Sequence, residues 1–230
     1  MGDGKKKRVT PDKRSEEAAG RILSTEAFSY YRGLIGQIEI ALPRQSSRVL
    51  LVSSSIAGEG TTETVVGLGL TLAVVLGRKT AIVDCNSHHP DLHTRFGTPK
   101  EGLNEYLQGE IPIERALVNT TVPNLHVMPL GENFDTLTSY DEGDLEKFVT
   151  ALREKFDYVL VDSAPVGVNP ESVALCDKVD AVVLVVKHGK TRREVVMRTR
   201  EIIERAGGKL LGVVFNKRTF PIPDFVYRRL

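Results

Sequence analysis

The stretch Arg48–Thr64, RVLLVSSSIAGEGTTET, constrains the fold of this chain more than any other segment. Val49, Leu50, Leu51, Val52 and, past the serines, Ile56 lead into Gly58-Glu59-Gly60-Thr61-Thr62, and an apolar, helix-compatible run continues to Leu76. Strand, glycine-rich turn and helix in that order make a cradle for phosphate. Glycines let the backbone turn tightly with its N–H groups inward, and the helix adds unpaired N–H donors and the positive end of its dipole. Thr61 stands where such a loop carries lysine. A neutral hydroxyl on a short stem cannot neutralise charge on a transferring phosphoryl group, the part played by lysine together with Mg²⁺. Thr62, the next residue, keeps the hydroxyl that would coordinate Mg²⁺. The loop therefore predicts phosphate held by backbone with poor equipment for transferring it, although a bare glycine-rich turn between strand and helix also occurs without a ligand.

With 230 residues and 41% hydrophobic content the chain can bury one substantial core, so one domain over 21–230 is expected behind a polar segment at 1–20. Lysine and arginine number 31 against 30 acidic residues, a net charge of +1 that gives no reason to expect nucleic acid as a partner. No apolar run has the length of a membrane span, and the first residues lack the apolar core of a signal peptide, so a soluble, cytoplasmic protein is expected. Cys85 and Cys176, each near an apolar strand-like run, read as free and buried thiols. The Lys5-Lys6-Lys7-Arg8 cluster reads as part of a mobile, solvated tail. The alternative is contact with an anionic membrane, at about 1 kcal/mol per basic residue.

Helix and strand patterns alternate along the rest. Thr25–Ile40 places Phe28, Tyr31, Leu34, Ile35 and Ile38 at helical spacing. Strands are expected at Arg48–Ser54, Thr80–Asp84, Leu125–Pro129, Tyr158–Asp162, Ala181–Lys187 and Leu210–Asn216, with helices at Thr62–Leu76, Asp144–Glu154, Pro170–Cys176 and Arg192–Ala206 and short ones through Leu107. Runs such as YVLVD, AVVLVV and LLGVVF are continuously apolar, as when helices cover both faces of a parallel sheet. The expected fold is an α/β three-layer sandwich with a mainly parallel central sheet, its ligand lying outside the carboxyl ends of the strands.

Two of those strands end in aspartate, Asp84 and Asp162, and both would open onto the edge that carries Thr62. Carboxylates, a hydroxyl, phosphate oxygens and waters suit Mg²⁺, so Thr62, Asp84 and Asp162 are the candidate metal ligands. Strand-end aspartates can also merely cap the next helix. Asn86 offers an amide where a second carboxylate could have acted as base, and an amide cannot take a proton from water. His88, His89 and His93 could approach an imidazole-preferring metal, but Pro90 interrupts the helix that would align them and no further ligand is evident, so exposed or phosphate-facing rings are the plainer reading. Asn216-Lys217-Arg218 after the last strand could line a base pocket or form a solvated exit turn.

Taken in order, the helix with Glu26-Ala27-Phe28, the loop IAGEGTTET, and then AIVDCNSHHPDLHTRFG, GLNEYLQGE, LHVMPLGE, FDYVLVDSAPVG, DAVVLVVKHGKT and LLGVVFN carry a family likeness. From about Thr25 to Asn216 the chain resembles the cytoplasmic kinase domain of bacterial tyrosine kinases of exopolysaccharide and capsule synthesis, relatives of the MinD/ParA-type deviant Walker ATPases with P-loop NTPase-like fold. The resemblance implies ATP or ADP with Mg²⁺, autophosphorylation of a tyrosine-rich C-terminal tail, cyclic oligomers and control by a membrane polysaccharide co-polymerase that would hold the protein at the inner face of the cell membrane. It puts Ala57, Gly58, Glu59, Gly60, Thr61, Thr62 and Glu63 around the nucleotide phosphates, with Thr61 at the Walker A lysine. It also puts Asp84 and Asn86 at the two acidic places of the second motif, Asp162 at the Walker B aspartate and Asn216 at a base-contacting asparagine, with catalysis falling to Thr61, Asp84, Asn86 and Asp162. Glu26, Ser29 and Arg32 fall on an oligomerisation motif that normally has arginine at both later places. Departures gather where catalysis lives: Thr61, Asn86, His88 in place of an arginine, and a C-terminal stretch with Tyr227 alone. Three readings follow: a degenerate member that regulates or scaffolds polysaccharide assembly, an active tyrosine autokinase, and a MinD/ParA-like positioning ATPase, with the first favoured.

Overall fold

The computed structural model describes residues 23–132 and 141–217. The expected tail at 1–20, with its basic cluster, and Tyr227 lie outside the described residues. The chain begins with α1 (Thr25–Ala41), capped where the Ser24 hydroxyl accepts from the Ala27 N–H at 3.3 Å. It continues through β1 (Arg48–Ser54), α2 (Thr61–Leu70, running on into a π-helical turn at Thr71–Val75), β2 (Thr80–Cys85) and the short helices α3 (Leu92–Phe96), α4 (Leu103–Leu107) and α5 (Ile113–Ala116). Then follow β3 (Val118–Asn119), β4 (Leu125–Met128), α6 (Glu142–Lys155), β5 (Tyr158–Ser163), α7 (Pro170–Ala174), β6 (Ala181–Lys187), α8 (Arg193–Arg205) and β7 (Leu210–Asn216).

The strands form one seven-stranded sheet in the order β3-β4-β2-β5-β1-β6-β7, parallel except for β3. Its central strands are buried on both faces because their successive side chains feed two different cores. Leu50, Val52, Ile82, Leu160 and Val183 meet α1 and α2 on one side. Val49, Leu51, Val83, Val161 and Leu184 meet residues of α4, α6 and α8, including Leu103, Leu152 and Ile203, on the other. The layered, mainly parallel architecture expected from the apolar runs is the one observed. Helix α1 comes very close to α2: a Cβ on Gly67 would lie 2.2 Å from the Tyr31 ring, so glycine there is what lets the aromatic ring seat. Cys85 and Cys176 are free and buried, and burial pushes the Cys176 thiol up to about 12.

Element ends differ from the sequence expectation by one or two residues where a cap decides. Helix α6 starts at Glu142 rather than Asp144 because the Asp141 carbonyl already accepts from the Asp144 N–H at 3.0 Å. The pair α5 and β3 was not expected, being too short to carry a period. Chain order gives the sheet its functional edge: from β1 the chain moves outward to β2 on one side, and after β5 it crosses β1 to place β6 on the other. The carboxyl end of β1 therefore opens at the point where strand order reverses, the usual position of a ligand crevice in such sheets.

Candidate functional site

At that end lies an open cavity of about 560 Å³ lined by Ala57, Gly58, Gly60, Thr61, Thr62 and Glu63 of the loop and first turn of α2, by Asn86 to Asp91 apart from Ser87, and by Arg95, Ser163, Pro165 and Lys217 among others. Gly60 closes the turn with φ +94°, and a Cβ there would stand 2.0 Å from the Asn216 side-chain nitrogen. The α2 N-terminus has no side-chain cap, which leaves its first N–H groups for whatever enters the cavity.

Glu59 does not face that cavity. Its side chain turns inward, and its carboxylate accepts from the N–H groups of Ser55 (2.8 Å), Ile56 (3.1 Å) and Lys187 (3.0 Å) and from the Thr191 hydroxyl. The expected phosphate contact of Glu59 is thus limited to its backbone, while its carboxylate pins the loop to the connection between β6 and α8. Asn216 closes the loop from β7, donating to the Glu59 carbonyl at 2.9 Å and to the Gly60 carbonyl at 3.4 Å.

Beneath the loop, the Thr62 hydroxyl donates to Asp162 Oδ2 at 2.7 Å, and Asp162 Oδ1 is buried with no hydrogen-bond partner. Burial raises the Asp162 carboxyl to about 8 against the pull of the Thr62 hydroxyl, and the charges of Asp84 and Glu63 push the same way. Asp84 pairs directly across from Asp162 in the register of β2 on β5. Its own oxygens accept from the N–H groups of Asn86 (3.0 Å), Asp91 (3.1 Å) and Leu92 (3.2 Å), so it ties down the turn that enters α3. Burial lifts it to about 6, with those backbone donors opposing. The two readings of a strand-end aspartate thus divide: Asp84 caps, and Asp162 keeps an oxygen free. A divalent cation fits the Thr62 hydroxyl and the orphaned Asp162 oxygen, and the unpaired N–H groups of α2 suit a phosphate.

Asn86 lines the cavity with its side-chain oxygen accepting from the His89 N–H at 3.3 Å, and it offers no base. His88 lies 3.3 Å from the Asn169 amide and His93 3.1 Å from the Thr94 hydroxyl. Among the described residues no group of three or more His, Cys, Asp or Glu gathers as a metal cluster, so the histidines converge on no shared ion. Arg95 reaches the cavity while paired with Asp91 and, at 3.5 Å, with Glu63. The inward clasp of Glu59 was not readable in the sequence, because Lys187 and Thr191 come from a strand and loop far along the chain.

A layered, mainly parallel sheet with this loop at its switch point defines a sandwich of the P-loop NTPase fold. The crystal structure of the chimerical protein CapA2B2 superposes with a TM-score of 0.75 at 26% identity, covering 83% of this chain and 84% of that one. MinD from Pyrococcus horikoshii, solved with Mg-ADP, gives 0.64 at 22% identity over 80% of this chain and 76% of its own, a likeness of fold. No protein-family profile matches the sequence. Tyrosine-protein kinase CpsD of Streptococcus agalactiae is 30% identical over 177 residues, 75% of this chain and 76% of the relative. The chain belongs to this family of bacterial tyrosine-protein kinases.

Proposed function

We propose that this chain is a nucleotide-binding, catalytically weakened member of its family that regulates or scaffolds capsule or exopolysaccharide synthesis. The observation that carries this reading is Thr61: the cradle around it is built, with Gly60, Thr62 and Asp162 in place, and the residue that would carry the transferring charge is neutral. ATP or ADP would be held by the backbone from Ala57 to Glu63, and Mg²⁺ by Thr62 and Asp162, with Asp84 positioning the adjoining turn. Losing one group that stabilises developing phosphoryl charge costs about 3 kcal/mol or more, roughly a hundredfold or more in rate.

The partner this reading names is a membrane polysaccharide co-polymerase, which would bring the protein to the inner face of the membrane. No helix among the described residues is long and apolar enough to cross a bilayer. Glu26, Ser29 and Arg32 are exposed on α1 beside Tyr30, so the helix has a surface for self-association, with Ser29 lacking the guanidinium fork that the family motif would supply. One observation favours the active autokinase instead: Arg95 and Lys217 bring positive charge to the cavity that Thr61 lacks. Titration of ATP and ADP with and without Mg²⁺, paired with a phosphotyrosine assay on the pure protein, separates the readings. Mg²⁺-dependent binding with negligible phosphotyrosine is expected, and robust phosphotyrosine formation would overturn the weakened-kinase reading. Thr61→Lys is the matching gain-of-function variant.

A further inference from the structure

We propose that Lys217 supplies the phosphate-neutralising charge missing from Thr61, so that the cation of this cradle comes from the end of β7 rather than from the loop. This rests on the nucleotide reading of the cavity. Lys217 lines the cavity with Thr61, and its Nζ lies 3.4 Å from the Gly58 carbonyl, at the rim of the glycine turn. Its backbone is fixed against that loop: the Lys217 N–H donates to Asn216 Oδ1 at 2.8 Å, and the Asn216 amide holds the Glu59 carbonyl. The residue has φ +52°, an unusual conformation for a side chain other than glycine or asparagine, which turns the chain at the strand end.

Three other cations, Arg78, Lys79 and Arg95, have partners of their own. Arg78 and Lys79 precede β2 and so lie at the opposite edge of the sheet, Arg78 4.0 Å from Glu39 and Lys79 over the Phe156 ring. Arg95 reaches the cavity but carries Asp91 and Glu63 as carboxylate partners, which offset its charge. Lys217 has no carboxylate partner among the described residues, and a flexible four-carbon stem lets its ammonium follow a phosphate oxygen. Charge offered from the rim strengthens phosphate binding without sitting where the loop lysine meets the transferring group. Binding without fast transfer is the consequence.

Calorimetric titration of the full chain with ATP, ADP and adenosine in Mg²⁺, at low and moderate salt, tests this with Lys217→Gln, Lys217→Arg, Arg95→Gln and the double variant Thr61→Lys/Lys217→Gln. Lys217 is exposed, and a thermal melt of each variant checks folding. The expected result is about tenfold weaker ATP binding in Lys217→Gln, a smaller loss for ADP, none for adenosine, and a shallower salt dependence. Lys217→Arg retains ATP affinity and the double variant regains it. If the wild type binds ATP and Lys217→Gln binds it equally well, Lys217 is not the charge donor, while the nucleotide reading stands. An equal loss for adenosine would also overturn the proposal, since it marks a base or shape contact. A folded wild type that binds neither ATP nor ADP removes the nucleotide reading together with the proposal.

Discussion

Thr62 and Asp162 are joined by a 2.7 Å hydrogen bond that uses one carboxylate oxygen and leaves the other buried without a partner. A buried acceptor left unsatisfied costs about 1–3 kcal/mol, and here the cost falls on a group bonded to Thr62, which lines the cavity. Asp162 is thus a site of stored instability that a divalent ion can relieve.

Removing that carboxylate should stabilise the empty protein. The carboxyl is raised to about 8 by burial, against about 3.9 for an unperturbed aspartate. Protonated Asp162 carries no penalty below the unfolded value, and stability is lost as pH rises toward the folded value. Asp162→Asn should therefore match the wild type near pH 4 and exceed it by on the order of 2–4 kcal/mol near pH 8 in urea melts without metal. With nucleotide present, adding Mg²⁺ should stabilise the wild type more than the variant, which keeps the backbone cradle but lacks the carboxylate oxygen for the metal. A variant less stable than wild type at pH 8 would refute the assignment.

Glu59 presents the opposite case, a buried carboxylate with every contact satisfied. Its partners Ser55, Ile56, Lys187 and Thr191 are all donors, so Glu59→Gln sets an amide N–H₂ against N–H groups that need acceptors. The expected loss is about 2–4 kcal/mol, larger than an ordinary hydrogen bond because the acceptor is charged. Nucleotide affinity should fall with it, since the clasp holds the loop in shape. Hydrogen exchange at Ser55 and Ile56 gives the local readout, and unchanged protection there would show that the clasp does not hold the loop.

Gly60 and Asn216 make a second, testable pair. Gly60→Ala must place a methyl at φ +94° and within 2.0 Å of the Asn216 amide, for a cost of about 2 kcal/mol or more. Asn216→Ala removes the obstruction together with the hydrogen bond to the Glu59 carbonyl. In denaturant melts the double variant should be less destabilised than the sum of the singles by about 1 kcal/mol. Strict additivity would mean that the loop relaxes away from Asn216 freely.

Much of this was legible in the residue order. Continuous apolar runs such as AVVLVV read as strands covered on both faces, which gave the sheet and, with Asp84 and Asp162 at strand ends, the edge that bears the site. LLGVVF is the exception, because β7 closes the sheet as an edge strand and leaves Val213 and Phe215 exposed. What the order could not separate was the use of each carboxylate. Asp84 and Asp162 look alike as strand ends, yet the turn after β2 folds back to donate to Asp84, whereas the helix after β1 brings Thr62 to Asp162. The family resemblance sets Glu59 among the phosphate-binding residues, and the crossing of β6 beside β1 adds the Lys187 and Thr191 donors that, with Ser55 and Ile56, draw its carboxylate inward. Short pieces such as β3 have no period to read, and the π-helical turn after Leu70 differs from an α-helix only in hydrogen-bond register.

The last prediction concerns acid stability away from the cavity. Asp180 precedes β6 and accepts from Arg153 of α6 through both oxygens, at 2.8 and 2.9 Å, and from the Val49 N–H of β1 at 2.7 Å. Burial would raise its carboxyl, but the Arg153 and Val49 donors outweigh that and hold it below the ordinary carboxylate range. A depressed carboxyl contributes stability that is present above the unfolded value, about 3.9, and is lost as pH falls through the folded value. Asp180→Asn should cost about 1–3 kcal/mol at pH 7, with the difference from wild type flat down to about pH 5 and shrinking below pH 4. Urea melts across that range decide it. A difference that widened on acidification would mean that Asp180 is held in the folded protein by its neutral form, contrary to the bidentate pairing with Arg153.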